Sequence, residues 1–183
     1  MEILFVNGKG GVGKSTLCYL LHLGLKEAGK TVFVRDLDPQ QTLGQFMGDQ
    51  GGMTEDAADF VLVDSMPVID HPTVKGAIQN ADILIVPCSA DPFTLAVTIS
   101  SSQVVHDLKK EGARAFGVLN DVEKGTRLSN TAPEILQENL KVPLLDVQIP
   151  HRQSIKRAAL EGWGGLDQEV RESVFKLALE IIA

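Results

Sequence analysis

Apolar residues along this chain gather in short blocks, each closed by a polar or turn-forming residue. Blocks of strand length lie at residues 3–6, 32–37, 60–63, 83–86, 115–119 and 144–149. Asp38-Pro39, Asp64, Pro87, Asn120 and Pro150 follow the last five. Between them the periodicity changes. Leu17, Leu20, Leu21 and Leu25 recur at helical spacing with Gly29 as a stop, and residues 93–110 and 132–140 have the length of helices. The last segment puts Val170, Val174, Leu177, Ala178 and Ile181 on one helical face and Glu169, Arg171, Glu172, Lys176 and Glu180 elsewhere. Continuous apolar runs mark strands buried on both faces, so the alternation predicts an α/β fold: a mainly parallel sheet covered by helices on both faces. Right-handed crossovers would bring Gly8, Asp38, Asp64, Asn120 and Pro150 to one rim of that sheet, where open α/β sheets bind ligands. The glycine-rich stretches 48–52 and 162–165 read as surface loops.

At 183 residues the chain suits one domain spanning 1–183. Its apolar fraction of 44% and charged fraction of 22% are those of an ordinary globular protein, and no run approaches eighteen apolar residues. The opening MEILFVN is too short and lacks the basic start of a signal peptide, so a cytoplasmic protein is expected. Cys18 and Cys88 lack the close spacing of a zinc site or disulfide framework and read as buried, inert thiols. His22, His71, His106 and His151 show no ligand spacing either. The net charge of -7 argues against a generally basic nucleic-acid binder but leaves room for a local patch.

The chemistry concentrates in GKGGVGKST, Gly8 to Thr16, which follows the first strand and opens the first helix. Gly8-x4-Gly13-Lys14-Ser15 meets the P-loop pattern in the required strand-to-helix context. Gly10, Gly11, Val12 and Gly13 would wrap backbone N–H groups around phosphates at a helix N-terminus. Lys14 should reach the β- and γ-phosphates of ATP, with Ser15 on Mg²⁺ and Thr16 beside it. Asp64, closing VLVD, has the placement of an acid that holds Mg²⁺. Asp36 and Asp38 end the neighbouring strand, where a carboxylate can orient water, and spacing does not choose between them.

The motifs KGGVGKST, DLDPQ, VLVDSMP, VLND and IPHRQSIKRAALEG together resemble the ParA/MinD group of deviant Walker A ATPases, nearer ParA, from residue 1 to about 165. The resemblance implies a single-domain P-loop NTPase that closes an ATP-dependent homodimer and hydrolyses ATP slowly. It implies that Lys9 reaches the partner subunit's nucleotide, that Asp38 orients the attacking water with Asp36 in support, and that Asn120 reads the adenine, with Pro150 and the residues after it bordering the base. A nucleotide buried between subunits needs more positive charge than Lys14 and Mg²⁺ supply, which gives the second lysine its purpose.

The same resemblance implies non-specific DNA binding, association with the nucleoid when ATP is bound, and a ParB-like or cargo adaptor protein that stimulates hydrolysis. Arg127, Arg152, Lys156 and Arg157 are the candidate DNA contacts, with Lys109, Lys110 and Arg114 as possible extensions of the patch. The mixed charge of the last helix points to packing rather than membrane association. Two other readings stand beside this one: an ATP-gated adaptor without DNA binding, and a small P-loop kinase, for which no arginine-rich lid is evident. The interval of 26 positions between Asp38 and Asp64 is shorter than is usual in the group.

Overall fold

Each apolar block forms a strand: β1 (Glu2–Phe5), β2 (Val32–Asp36), β3 (Phe60–Asp64), β4 (Ile83–Cys88), β5 (Arg114–Val122) and β6 (Leu144–Pro150). The computed structural model describes residues 1–47 and 54–182; the stretch 48–52, expected to be a loop, lies outside the described residues. The strands make one sheet in the order β2-β3-β1-β4-β5-β6, with every described pair parallel.

Helices α1 (Lys14–Glu27), α4 (Pro92–Leu108), α5 (Arg127–Asn139) and α7 (Gln168–Ile182) lie where periodicity placed them. Three more, α2 (Thr42–Met47), α3 (Pro72–Asn80) and α6 (Gln153–Glu161), were not anticipated. They are too short to show a helical period, and caps mark some of them instead. At α3, Pro72 stands in the first turn and His71 Nδ1 accepts from Thr73 N at 3.3 Å.

Strand side chains alternate between two cores. Ile3, Phe5, Leu62, Ile83 and Ile85 face α1 and α7, while Leu4, Val6, Val61, Val63, Leu84 and Val86 face α3 and α4. A smaller cluster of Cys88, Leu119, Val122, Ala132 and Leu136 seats α5. Val170, Val174, Leu177 and Ile181 of α7 are fully buried, as their spacing predicts. Both cysteines are buried and free, with thiols pushed upward by desolvation.

Pro87 was expected to end β4, yet the strand continues to Cys88. Its carbonyl points toward β1, where Asn7 Nδ2 donates to it at 2.9 Å, and β1 has already left the sheet there. The absent N–H therefore breaks no ladder bond. The stretch 162–165, read as a loop, is a 3₁₀ turn with Gly165 buried. Trp163 anchors it against Phe175, ring centroids 5.0 Å apart, and beneath Arg171.

Candidate functional site

The loop between β1 and α1 occupies the rim where the parallel strands end. Gly11 and Gly13 have φ of 82° and 96°, a region that side chains resist, so the chain can fold back on itself before α1 begins. Gly13 is the N-cap of α1 and offers no side chain to the first helical N–H groups. A Cβ on Gly13 would stand 2.0 Å from Asn120 Nδ2. Val12 is buried beneath the loop, and its carbonyl accepts from Asn120 Nδ2 at 3.1 Å.

Lys14 is only 7% exposed, and its Nζ donates to the Lys9 carbonyl at 3.2 Å. Desolvation lowers its pKa, and the carboxylates of Asp64 and Asp38 act in the opposite sense. A desolvated ammonium surrounded by inward-facing backbone is a strong phosphate ligand. Lys9 is half-buried, and its ammonium has no hydrogen bond or ion pair among the described residues.

Asp64 closes β3 in register with Asp36 of β2 and Phe5 of β1. It is 1% exposed, and burial raises its pKa to about 6, against the hydrogen bond from Ser15 and with help from Asp36. Its Oδ1 is buried without a hydrogen-bond partner among the described residues. An orphaned carboxylate oxygen beside a serine hydroxyl is a pair of hard oxygen donors, which fits Mg²⁺. No group of three or more His, Cys, Asp or Glu gathers as a metal site among the described residues. Mg²⁺ beside a nucleotide suits so few protein ligands, since phosphates and water supply the others.

Geometry separates Asp36 from Asp38. Asp36 Oδ1 accepts from Asp38 N at 2.9 Å and Oδ2 from Gly44 N at 3.1 Å, so both oxygens organise the turn into α2. Asp38 uses Oδ1 on Gln40 N at 3.0 Å. Its Oδ2 has no partner among the described residues.

On the other side of the loop a cavity of about 180 Å³ is lined by Gly11, Gly13, Thr16, Asn120, Asp121, His151, Arg152, Ile155 and Lys156. Asn120 thus reaches the expected cavity, but from inside β5 and with its amide N–H₂ directed at Val12. Beside it Asp121 adopts φ 60° and meets His151 Nδ1 at 2.7 Å. Pro150, expected to border the base together with the residues after it, ends β6 and lines a separate cavity of about 220 Å³ with Lys124 and Glu169. His151 and Arg152, which follow it, line the cavity beside the glycine loop.

A model of the CobQ/CobB/MinD/ParA nucleotide binding domain matches residues 3–163. The chain belongs to this family. Among curated proteins it resembles the maintenance of carboxysome distribution protein A of Halothiobacillus neapolitanus, at 26% identity over 85% of this chain and 82% of that one. It also resembles the sporulation initiation inhibitor protein Soj of Bacillus subtilis, at 30% identity over 60% of this chain and 40% of Soj. Among solved structures, a putative plasmid partition protein of Borrelia burgdorferi bound to AMPPNP superposes with a TM-score of 0.69 over 98% of both chains at 18% identity. The MinD protein of Pyrococcus horikoshii, complexed with Mg-ADP, gives 0.73 at 20% identity, over 98% of this chain and 94% of that one. At such identities the superpositions speak for the fold.

The candidate basic residues of this nucleotide-binding domain divide between the two ends of the sheet. Arg127 is exposed at the start of α5, and Arg157 is exposed on α6. Lys156 is exposed on α6 as well and lines the cavity beside the glycine loop together with Arg152. Arg152 is ion-paired with Glu169, which also holds Lys124. Lys109, Lys110 and Arg114 lie at the opposite end of the sheet, because they flank the turn that starts β5. Lys109 donates to Ala113 O at 3.0 Å and Lys110 pairs with Asp82 at 2.7 Å, so they do not extend the group. No helix among the described residues is long and apolar enough to cross a membrane.

Sequence reasoning passed over Asn7, Thr98 and Ser101, all buried beneath the loop. The available signal was a polar residue interrupting the passage from an apolar strand to the glycines, and two hydroxyls one helical turn apart on α4.

Proposed function

We propose that this chain is a ParA-type positioning ATPase, whose ATP-bound homodimer binds DNA non-specifically and is released by slow hydrolysis. The observation that carries this reading is the convergence on one glycine loop of a buried lysine, a buried carboxylate with an orphaned oxygen, and a second lysine whose ammonium has no partner among the described residues.

Lys14 and the backbone N–H groups entering α1 would hold the phosphates, and Ser15 and Asp64 would hold Mg²⁺. The metal would supply charge neutralisation at the phosphate oxygens. Lys9, unpaired among the described residues of its own subunit, would complete the charge around the partner's nucleotide, which makes dimerisation depend on ATP. Asp38 Oδ2, without a partner among the described residues, is suited to orient water, while Asp36 keeps the turn in place. Asn120, His151 and Arg152 would border the base, and Asn120 Oδ1 remains to accept from an exocyclic amine. Arg127, Arg157 and Arg152 would contribute phosphate contacts doubled by the dimer. The carboxysome and plasmid relatives make a bulky cargo and a stimulating adaptor the expected partners.

The test is the molar mass and the binding to non-specific duplex DNA of wild type, Asp38→Ala and Lys9→Ala, each with ADP and with ATP–Mg²⁺. An ATP-dependent dimer that binds DNA in Asp38→Ala and is much weaker, though still measurable at high concentration, in Lys9→Ala supports the reading. A dimer that ignores DNA replaces it with the ATP-gated adaptor, and persistent monomers with ATP sink the sandwich mechanism.

A further inference from the structure

Asn7 is completely buried, and both its amide nitrogen and its amide oxygen have partners. Its Nδ2 donates to Pro87 O at 2.9 Å and to Thr98 Oγ1 at 3.0 Å. Its Oδ1 accepts from Lys9 N at 2.9 Å and lies 3.3 Å from Ser101 Oγ. Ser101 Oγ in turn accepts from Gly8 N at 3.0 Å and stands 2.8 Å from Val97 O. Thr98 and Ser101 are themselves 0% and 1% exposed. The first two N–H groups of the loop therefore point into the protein, toward α4, and the phosphate cradle begins after them.

Apolar residues here would leave the Gly8 and Lys9 N–H groups and the Pro87 carbonyl buried without these partners, so the polar network fixes where those backbone groups lie. What it positions is the peptide that carries Lys9. That peptide is gripped at its N–H by Asn7 and at its carbonyl by Lys14 Nζ, 3.2 Å away. Once Lys14 turns to phosphate, the hold on the carbonyl is gone. Asn7 and Ser101 then remain to fix residues 8 and 9.

We infer that the Asn7–Thr98–Ser101 network is a positioning device that makes α4 the base from which Lys9 is presented to a second copy of this chain. The inference rests on the proposed role of Lys9 at the partner's nucleotide. Asn7, Thr98 and Ser101 are positioning residues, since none of them faces the nucleotide cavity.

The test is a double-mutant cycle on ATP-dependent dimerisation in an Asp38→Ala background, which keeps ATP intact. Thr98→Val combined with Ser101→Ala keeps shape and removes both hydroxyls. It should weaken the dimer about tenfold while leaving Mg-ADP affinity of the monomer within about twofold. Added to Lys9→Ala it should cost nothing further, because the network acts through Lys9. Thr98→Ser, which retains the hydroxyl, should dimerise like the parent and shows that the effect is not general loosening. An undiminished dimer in Thr98→Val/Ser101→Ala overturns the inference alone. So does a loss that multiplies with that of Lys9→Ala, or an equal loss of Mg-ADP affinity. Absence of an ATP-dependent dimer in the parent would overturn the function of Lys9 first, and the inference with it.

Discussion

Replacing Asp64 by Asn should make the nucleotide-free protein more stable as pH rises, relative to wild type, while destroying Mg²⁺-dependent nucleotide binding. Burial holds the carboxyl at about 6 against an ordinary 3.8, so between these values the folded state binds more protons than the unfolded chain. Stability therefore falls as pH rises through that window, and the full cost is present above it. Just over two units at about 1.4 kcal/mol each make that cost about 3 kcal/mol at pH 7. At 1% exposure no discount for solvent screening applies. At about pH 5 the folded carboxyl still keeps most of its proton, and roughly half the cost has been incurred. The substitution introduces an amide with its own penalty, but that penalty does not change with pH. The difference in melting temperature between Asp64→Asn and wild type should thus widen by about 2–4 °C from pH 5 to pH 7, the equivalent of about 1 kcal/mol in a domain of this size. Scanning calorimetry without nucleotide measures it. A gap that stays constant with pH would refute the assignment of Asp64 as a desolvated acid kept in place for a cation. In the presence of Mg²⁺ and ADP the wild type should lose affinity about tenfold per unit as pH falls below about 6, because protons compete for the ligand oxygen. Asp64→Asn should bind weakly and follow only the titration of the nucleotide itself.

Other substitutions separate roles that share the rim. Gly13→Ala meets both a positive φ and the Asn120 amide, so it should cost about 2–4 kcal/mol by chemical denaturation and abolish nucleotide binding; wild-type stability would contradict the close approach. Asp36→Ala strips two backbone N–H groups of their acceptor and should cost about 1–3 kcal/mol. Asp38→Ala should leave stability within about 1 kcal/mol and stop phosphate release, and equal effects of the two would erase the distinction drawn between them. Glu169→Gln frees Arg152 and Lys124, so binding of the ATP-bound protein to duplex DNA should tighten about threefold to tenfold at low salt. Unchanged binding would remove Arg152 from the DNA contacts.

Residues 8–16 and Asp64 were legible because their chemistry is local: a phosphate loop and the acid that ends a buried strand need only neighbours in sequence. The inner strands were legible because both faces of the sheet are covered, which makes each a nearly continuous apolar run, whereas the edge strands β2 and β6 carry Arg35, Asp146 and Gln148 among their apolar residues. Helices α2, α3 and α6 were not, because segments of six to nine residues span too few turns to show a period. The pairing of the basic residues was not legible for another reason. Sequence shows charge but not partners, and Glu169 on α7 and Asp82 beside β4 neutralise residues that look free.

The sequence by itself determined the fold class, the phosphate loop with its second lysine, and the acids at the strand ends, since each follows from contacts spanning a few residues. Tertiary structure alone decided the strand order, because six strands of similar composition carry no record of their neighbours. It decided that Asp36 serves the backbone while Asp38 has an oxygen without a partner among the described residues, and that Asn120 presses against Gly13. It also decided that Asn7 reaches Thr98 and Ser101, more than ninety residues away along the chain. A buried amide must find its hydrogen bonds wherever folding brings donors and acceptors, and only the packed sheet and α4 determine where that is.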